Sequence, residues 1–222
     1  MTGPDPSGEP ERPAGTDQPE TSGDPLREFL AVMRRLRAEC DWKRGQTHRT
    51  LARYLLEETQ ETLEAIDEWA ETGDPAHLEE ELGDLLLQVY FHAVIAEESG
   101  AFTLDDVARG ITAKMYRRNP HVFAPDGDQP VSGADAINEA WERIKAEEKP
   151  RSSVTEGLPP GLPALLYADK VLNRLARAGD LPAMEASDDL GDRLLALVAE
   201  ARQAGVDPEQ ALRDAVRRIL PT

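Results

Sequence analysis

The feature that most constrains the fold of this chain is a short break, Gly73-Asp74-Pro75, between two long helical patterns. Glycine often ends a helix in the left-handed conformation, and an Asp-Pro pair often begins the next helix. The first pattern covers about residues 50–72, and the second reaches about Ser99, where Gly100 ends it. Because the connection is so short, the two helices should pack antiparallel. The sequence therefore predicts an α-helical hairpin.

Helical signals surround this hairpin on both sides, and no run of residues has the pattern of a β-strand. Asp24-Pro25 marks the start of an earlier helix, and the stretch from Cys40 to Thr47 is predicted to be a loop. We therefore expect an all-α fold built as a bundle of antiparallel helix pairs. The next predicted helix begins after Thr103 and ends at Asn119-Pro120. Four later helices are predicted at about residues 133–148, 164–178, 188–204 and 208–219.

Composition divides the chain into four segments. Residues 1–24 carry too few apolar side chains to offset chain entropy, so we expect a disordered acidic tail. Residues 25–150 are predicted to form the main helical domain, and residues 151–163 form a linker rich in proline and glycine. Residues 164–222 are predicted to form a helical C-terminal segment.

Charge and cysteine content narrow the classes of function. The formal net charge is −18, which repels phosphate backbones, so we expect no nucleic-acid partner. A nucleotide substrate is still compatible with this net charge, because a bound cation makes the local electrostatic potential positive. A single cysteine, Cys40, excludes an intrachain disulfide. Without a long apolar run or a signal-peptide pattern, we expect no membrane segment and a cytoplasmic location.

The first helix of the hairpin carries carboxylates next to its apolar stripe. On a helical wheel Glu58 falls inside that stripe, and Glu61 lies at its edge. A carboxylate at a core position is costly unless it is paired or bound to a metal. A solvated acidic face is the plainer interpretation; it fits Glu64 and Glu68, and it stays open for Glu58.

The second helix of the hairpin is apolar nearly all the way round, which predicts burial on all sides. Its remaining narrow strip carries Glu81, Asp84 and Gln88, so this strip must face another element. Gly83 costs roughly 1 kcal/mol relative to alanine inside a helix, which suggests a close approach of the backbone there.

In an antiparallel hairpin the two acidic strips face each other. Four carboxylates in one dry pocket repel each other strongly without a cation. Ligand sets made only of oxygen favour hard divalent ions, so Mg²⁺ is expected and Mn²⁺ is the second choice. A di-iron bundle is an alternative, but it uses Glu-x-x-His, which none of the four histidines completes. The predicted metal ligands are Glu58, Glu61, Glu81 and Asp84.

Basic and aromatic side chains further along the chain are candidates for binding substrate. Lys114, Arg117 and Arg118 share one face near the end of a predicted helix. They either complement the helix dipole or clamp triphosphate oxygens, and their isolation in an acidic chain favours the clamp. Trp141 and Lys145 lie one turn apart on the following helix. Trp141 is interpreted equally well as a base-stacking residue or as a core residue.

These motifs resemble the MazG family of nucleoside triphosphate pyrophosphohydrolases over roughly Leu26 to Lys149. The resemblance rests on Glu57-Glu58-x-x-Glu61 followed by Glu81-x-x-Asp84, with Arg117-Arg118-Asn119-Pro120-His121 further on. The chain departs from the family pattern at Asn119, where the family commonly has histidine. It departs again at Cys40-Asp41-Trp42-Lys43, where the family commonly has Cys-Pro-Trp-Asp.

The resemblance implies Mg²⁺-dependent hydrolysis of NTPs or dNTPs to the monophosphate and pyrophosphate. It also implies a homodimer or larger homo-oligomer that completes the bundle, and a role in cleaning the nucleotide pool. Glu57 lies beside the predicted ligands but is displaced around the helix, so it is the candidate base for the attacking water. Two alternatives stay open: a non-catalytic helical module that binds nucleotide or protein, and a structural dimer with paired charged strips.

The C-terminal segment contains a partial repeat of the sequence pattern of the second acidic helix. The run Asp189–Leu195 matches Glu81–Leu87 in pattern, and the MazG family often carries two copies of its domain. No Glu-Glu-x-x-Glu occurs in the preceding stretch, Lys170–Ser187. Half a site cannot hold the metal, so we interpret this segment as a degenerate second copy with a structural role.

Overall fold

The computed structural model describes residues 23–124, 132–149, 152–184 and 187–220. The regular structure in these ranges is helical and contains no strand, which confirms the predicted all-α class. The predicted disordered tail lies outside the described residues, apart from Gly23 and Asp24. In chain order the helices are α1 (Pro25–Glu39), α2 (Asp41–Arg44), α3 (His48–Thr72), α4 (Ala76–Glu98), α5 (Leu104–Arg118), α6 (Pro120–Phe123), α7 (Ala134–Glu148), α8 (Ala164–Ala178), α9 (Leu190–Gln203) and α10 (Pro208–Arg217).

The helix boundaries follow local capping chemistry. The Asp24 side chain accepts a hydrogen bond from the backbone N–H of Leu26 at 3.0 Å, and Pro25 occupies the first helical position of α1. Gly73 ends α3 with a φ of 76°, the left-handed conformation that glycine adopts without strain. The prediction of a loop from Cys40 to Thr47 is wrong in part, because this stretch contains the single-turn helix α2.

Helices α3 and α4 form the predicted antiparallel hairpin. Contacts run in opposite chain directions: Thr62 lies 3.5 Å from the carbonyl of Glu81, and His48 near the start of α3 lies 2.7 Å from His92 near the end of α4. Helix α1 packs across α4, and together these helices bury the core of the N-terminal part of the chain. That core consists of Met33, Leu51, Tyr90, Phe91 and Val94.

Burial along α4 is uneven. Its buried residues lie between Gln88 and Ala96, in the half that is distant from the turn. The prediction that α4 is buried on all sides is wrong for a single chain, because Leu82, Leu86 and Val89 are 50%, 36% and 41% exposed. The predicted close approach at Gly83 is also wrong. Among the described residues, a methyl group added there meets nothing within 4 Å beyond the neighbouring backbone of its own helix.

The buried guanidinium of Arg37 joins three segments of the fold. It donates to the carbonyls of Lys43, Arg44 and Gln46, and so fixes the connection between α1 and α3. Its Nε also donates to Glu98 at the end of α4 at 2.8 Å. Hydrogen bonds from Arg37 hold the pKa of Glu98 below its usual value, against the effect of burial.

Replacing Arg37 with methionine should lower the free energy of unfolding by about 3 kcal/mol, because the part-buried hydrogen bonds that the buried guanidinium donates are all lost. The same helices offer a matched control, since Arg34 on α1 pairs with Glu97 on α4 but is 51% exposed. Arg34→Met should cost less than about 1 kcal/mol. Urea denaturation followed by circular dichroism measures both values, and equal losses would contradict the role given to Arg37.

Internal contacts divide the chain into two units, with the boundary after Phe123. In the second unit α8, α9 and α10 pack around Leu172, Val198 and Ala199. This division groups α7 with the second unit, whereas the sequence predicts one domain over residues 25–150. The domain assignment stays a prediction. Among the described residues, no helix combines the length and apolar character that crossing a membrane requires.

Candidate metal centre

Three glutamates converge where α3 meets α4. Glu58 and Glu61 on α3 and Glu81 on α4 each offer one carboxylate oxygen, and these oxygens lie within 4.8 Å of one another. Buried Thr62 lies between the two backbones here: its hydroxyl donates to the carbonyl of Glu58 at 2.7 Å and lies 3.5 Å from that of Glu81. A small residue at this crossing allows the two helices to approach closely.

Asp84, the fourth predicted ligand, lies outside this group of three, one turn beyond Glu81 on α4. Its charge still acts on the cluster. Burial raises the pKa of Glu58 above its usual value, and the charges of Asp84, Glu61 and Glu81 raise it further. The hydrogen bond from Gln88 opposes this rise. A raised pKa of this kind is expected where like charges are held close together, and the assignment of Asp84 as a ligand stays a prediction.

Two buried oxygens at this site have no hydrogen-bond partner among the described residues. They are Oε2 of Glu81 and Oε1 of Gln88. The Nε2 of Gln88 is engaged, since it donates to Oε1 of Glu58 at 3.4 Å. Buried acceptors are normally satisfied, so unpartnered ones beside converging carboxylates indicate room for a donor or a cation. The donor set contains only oxygen and therefore fits a hard divalent ion such as Mg²⁺.

His77, in the first turn of α4, is a part of the site that the sequence analysis missed. Its Nε2 lies 3.2 Å from Oε1 of Glu81, and its Nδ1 lies 2.6 Å from Oε2 of Glu68. The hydrogen bond with Glu68 is the largest cause of a raised pKa for His77. The i, i+4 spacing of His77 and Glu81 was visible in the sequence. The partner across the turn was not, because Glu68 fits a solvated face.

The predicted base and the predicted basic clamp occupy different parts of the first unit. Glu57 is exposed on α3, next to Glu58 in sequence. Lys114, Arg117 and Arg118 lie in the last turns of α5, where Lys114 is half-buried, Arg117 is exposed and Arg118 is buried. Helix α5 packs against α4, the helix that supplies Glu81. The roles of these four residues stay predictions.

Trp141 and Lys145 lie on α7, in the second unit, and both are half-buried. The ammonium of Lys145 lies 5.0 Å from the centre of the Trp141 ring and 3.1 Å from Oε1 of Glu142. A half-buried indole with a cation over its face is compatible with either interpretation, a stacking surface or a packed side chain. The substrate-binding role of this pair stays a prediction.

The segment of the second unit whose sequence pattern is similar to that of the acidic helix α4 has a local structural role. The Asp189 side chain accepts a hydrogen bond from the N–H of Asp192 at 3.1 Å and caps the start of α9. Asp192 accepts a hydrogen bond from the hydroxyl of Ser187 at 2.7 Å. These carboxylates therefore hold a helix end, whereas their counterparts Glu81 and Asp84 lie inside α4. A structural role for this copy is supported by that difference and stays a prediction.

The fold and the site together define an all-α protein with an acidic helical hairpin that is suited to a divalent cation. A family model described as the MazG nucleotide pyrophosphohydrolase domain matches residues 46–123. That range contains both acidic helices and ends at the last residue of α6. The chain belongs to the MazG family of nucleotide pyrophosphohydrolases, as its motifs predicted.

Relatives extend the match beyond that range. A nucleoside triphosphate pyrophosphohydrolase/pyrophosphatase, MazG, from Thermotoga maritima is 38% identical over 219 residues, with 87% of this chain and 82% of that protein covered. A nucleoside triphosphate pyrophosphohydrolase from Mycobacterium tuberculosis is 42% identical, with 87% of this chain and 55% of that protein covered. A crystal structure of a MazG-related protein from Thermotoga maritima is similar with a TM-score of 0.44 and 24% identity, over 54% of this chain and 97% of that one.

Removing one charge from the cluster should stabilise the protein when metal is absent. In EDTA at neutral pH, Glu58→Gln should raise the melting temperature by a few degrees, because relief of a like-charge contact is worth roughly 0.5 kcal/mol. The same substitution should abolish the further rise that added Mg²⁺ gives the wild-type protein. Thermal melting with and without Mg²⁺ tests both effects. A lower melting temperature for the variant in EDTA would contradict the repulsion.

Proposed function

We propose that this chain hydrolyses nucleoside triphosphates between the α- and β-phosphates, releasing the monophosphate and pyrophosphate, with Mg²⁺ as the cofactor. The single observation that carries this proposal is the convergence of Glu58, Glu61 and Glu81 within 4.8 Å in a chain of the MazG family. The names of the relatives from Thermotoga maritima and Mycobacterium tuberculosis support the substrate class. Such a substrate fits a cytoplasmic enzyme with a role in cleaning the nucleotide pool.

Each predicted site residue has a defined task in this reaction. Glu58, Glu61 and Glu81, with Asp84 as the proposed fourth ligand, hold the cation between α3 and α4. When bound, such a cation supplies positive charge that neutralises the phosphate oxygens and the departing pyrophosphate. It also offsets the repulsion between a triphosphate and a chain whose formal net charge is −18.

The remaining roles concern the attacking water and the triphosphate. Oxygen of the water bonds to the α-phosphorus, the bond from that phosphorus to the bridging oxygen breaks, and pyrophosphate leaves. We assign Glu57 as the base that accepts the proton of this water, because its carboxylate is exposed beside the ligand helix face. Lys114, Arg117 and Arg118 contact triphosphate oxygens in this proposal, and Trp141 with Lys145 contact the nucleoside end.

Neutralising a proposed ligand should abolish pyrophosphate release without unfolding the protein. Glu61→Gln and Glu81→Gln should each lower kcat/KM for dNTPs at least about 100-fold, because a ligand charge is lost while the shape is kept. Glu80→Gln removes an exposed carboxylate next to Glu81 and should leave turnover unchanged.

The assay uses a panel of NTPs and dNTPs and measures pyrophosphate and orthophosphate separately. Pyrophosphate as the product identifies cleavage between the α- and β-phosphates, whereas orthophosphate would contradict the proposed bond. Near-normal turnover in both ligand variants would contradict the proposed site. A folded wild-type protein that binds dNTP with Mg²⁺ but turns over none of the panel would favour a non-catalytic binding module.

We also propose that the active form is a homodimer or a larger homo-oligomer. The supporting feature is a stripe of exposed apolar side chains on α4, formed by Leu82, Leu86 and Val89 at i, i+4 and i+7. Ile66 and Trp69 on the neighbouring helix α3 are also exposed. Exposed apolar side chains of this size carry a hydrophobic cost in a monomer, which contact with a second copy of the chain would remove.

A charge in the centre of this stripe should dissociate the oligomer. Leu86→Arg should shift the molar mass measured by light scattering to that of a single chain, because the charge would be desolvated in the interface. Glu80→Arg introduces the same side chain on the opposite side of α4 and should leave the mass unchanged. A wild-type mass in Leu86→Arg would place the interface elsewhere.

A further inference from the structure

The two carboxylate oxygens of Glu81 have different surroundings. The side chain is only 13% exposed, and its Oε1 lies 3.2 Å from Nε2 of His77, one turn earlier on α4. Its Oε2 is buried and has no hydrogen-bond partner among the described residues. One oxygen is therefore engaged by the protein and the other has no partner in the part of the chain that the structure describes, in a residue that belongs to the cluster with Glu58 and Glu61.

His77 is itself held from its other side. Its Nδ1 lies 2.6 Å from Oε2 of Glu68, near the end of α3. Both ring nitrogens of His77 therefore lie within hydrogen-bonding distance of a carboxylate. The imidazole is thus fixed at both ends, and Glu68, His77 and Glu81 form a chain of contacts across the α3–α4 turn.

We infer that His77, held by Glu68, is a positioning residue for the metal site. It binds Oε1 of Glu81 and so presents Oε2 to the cation. This inference rests on the proposed function, because it assumes that Glu81 is a metal ligand. A glutamate side chain has several rotatable bonds, and fixing it before the cation arrives removes part of the ordering cost of binding.

Glu68 is part of this arrangement. It lies on the other side of the imidazole from Glu81 and so holds the ring in the orientation that directs Nε2 at Oε1 of Glu81. Another hydrogen-bond donor at position 77 should therefore preserve much of the effect, and loss of the Glu68 carboxylate alone should weaken binding.

The test is Mn²⁺ binding to the full chain without nucleotide, followed by electron paramagnetic resonance. His77→Leu removes the donor at similar size and should raise the Kd for Mn²⁺ about tenfold. His77→Gln retains an N–H that reaches Glu81 and should bind Mn²⁺ more tightly than His77→Leu. Glu68→Gln should weaken binding in a wild-type background but have little further effect in His77→Leu, because it acts through the ring. Glu79→Gln, at an exposed position of the same helix, is the control and should match the wild type.

Kinetics give a second readout on the same variants. In His77→Leu the Mg²⁺ concentration for half-maximal turnover should rise about tenfold, while turnover at saturating Mg²⁺ stays within about twofold. Unchanged or tighter Mn²⁺ binding in His77→Leu would overturn the inference and leave the proposed function intact. A wild-type protein that binds no Mn²⁺ and releases no pyrophosphate would overturn both.

Discussion

Helix packing holds like charges together in this fold. The carboxylates of Glu58, Glu61 and Glu81 lie close because α3 and α4 pack against each other there, with Thr62 between the two backbones, and not because they attract one another. The core that offsets this repulsion lies in the other half of the hairpin, around Leu51, Phe91 and Val94. In the proposed function a cation offsets this repulsion, so the carboxylates that repel one another in the empty hairpin are the ones that would bind it.

The sequence predicted the fold through local signals and the site through periodicity. Capping residues such as Asp24 and Gly73 set helix ends through contacts within a few residues, so the helix boundaries are readable in advance. The positions of Glu58 and Glu81 on facing strips follow from 3.6-residue periodicity and the short turn. These two kinds of signal suffice for the helical hairpin and for three converging carboxylates.

The features that could not be predicted from the sequence depend on which surfaces are in contact in the folded protein. Periodicity identified α4 as apolar all round, but it does not say whether the same chain or a second copy covers Leu82 and Leu86. The contact of His77 with Glu68 depends on rotamers across the turn, and the separation of Asp84 from the group of three depends on the exact helix crossing. Both are properties of tertiary geometry, which residue spacing along one helix does not specify.

The uneven burial along α4 has a consequence for local unfolding. The buried residues of α4 all lie from Gln88 onward, and Glu98 at the helix end is bound by Arg37, whereas the first three turns contain no buried residue. Amide hydrogens in those first turns should therefore exchange with solvent through small openings that leave the core intact. Cation binding would close these openings and couple the local order of the turn to the supply of divalent ions, without any change elsewhere in the hairpin.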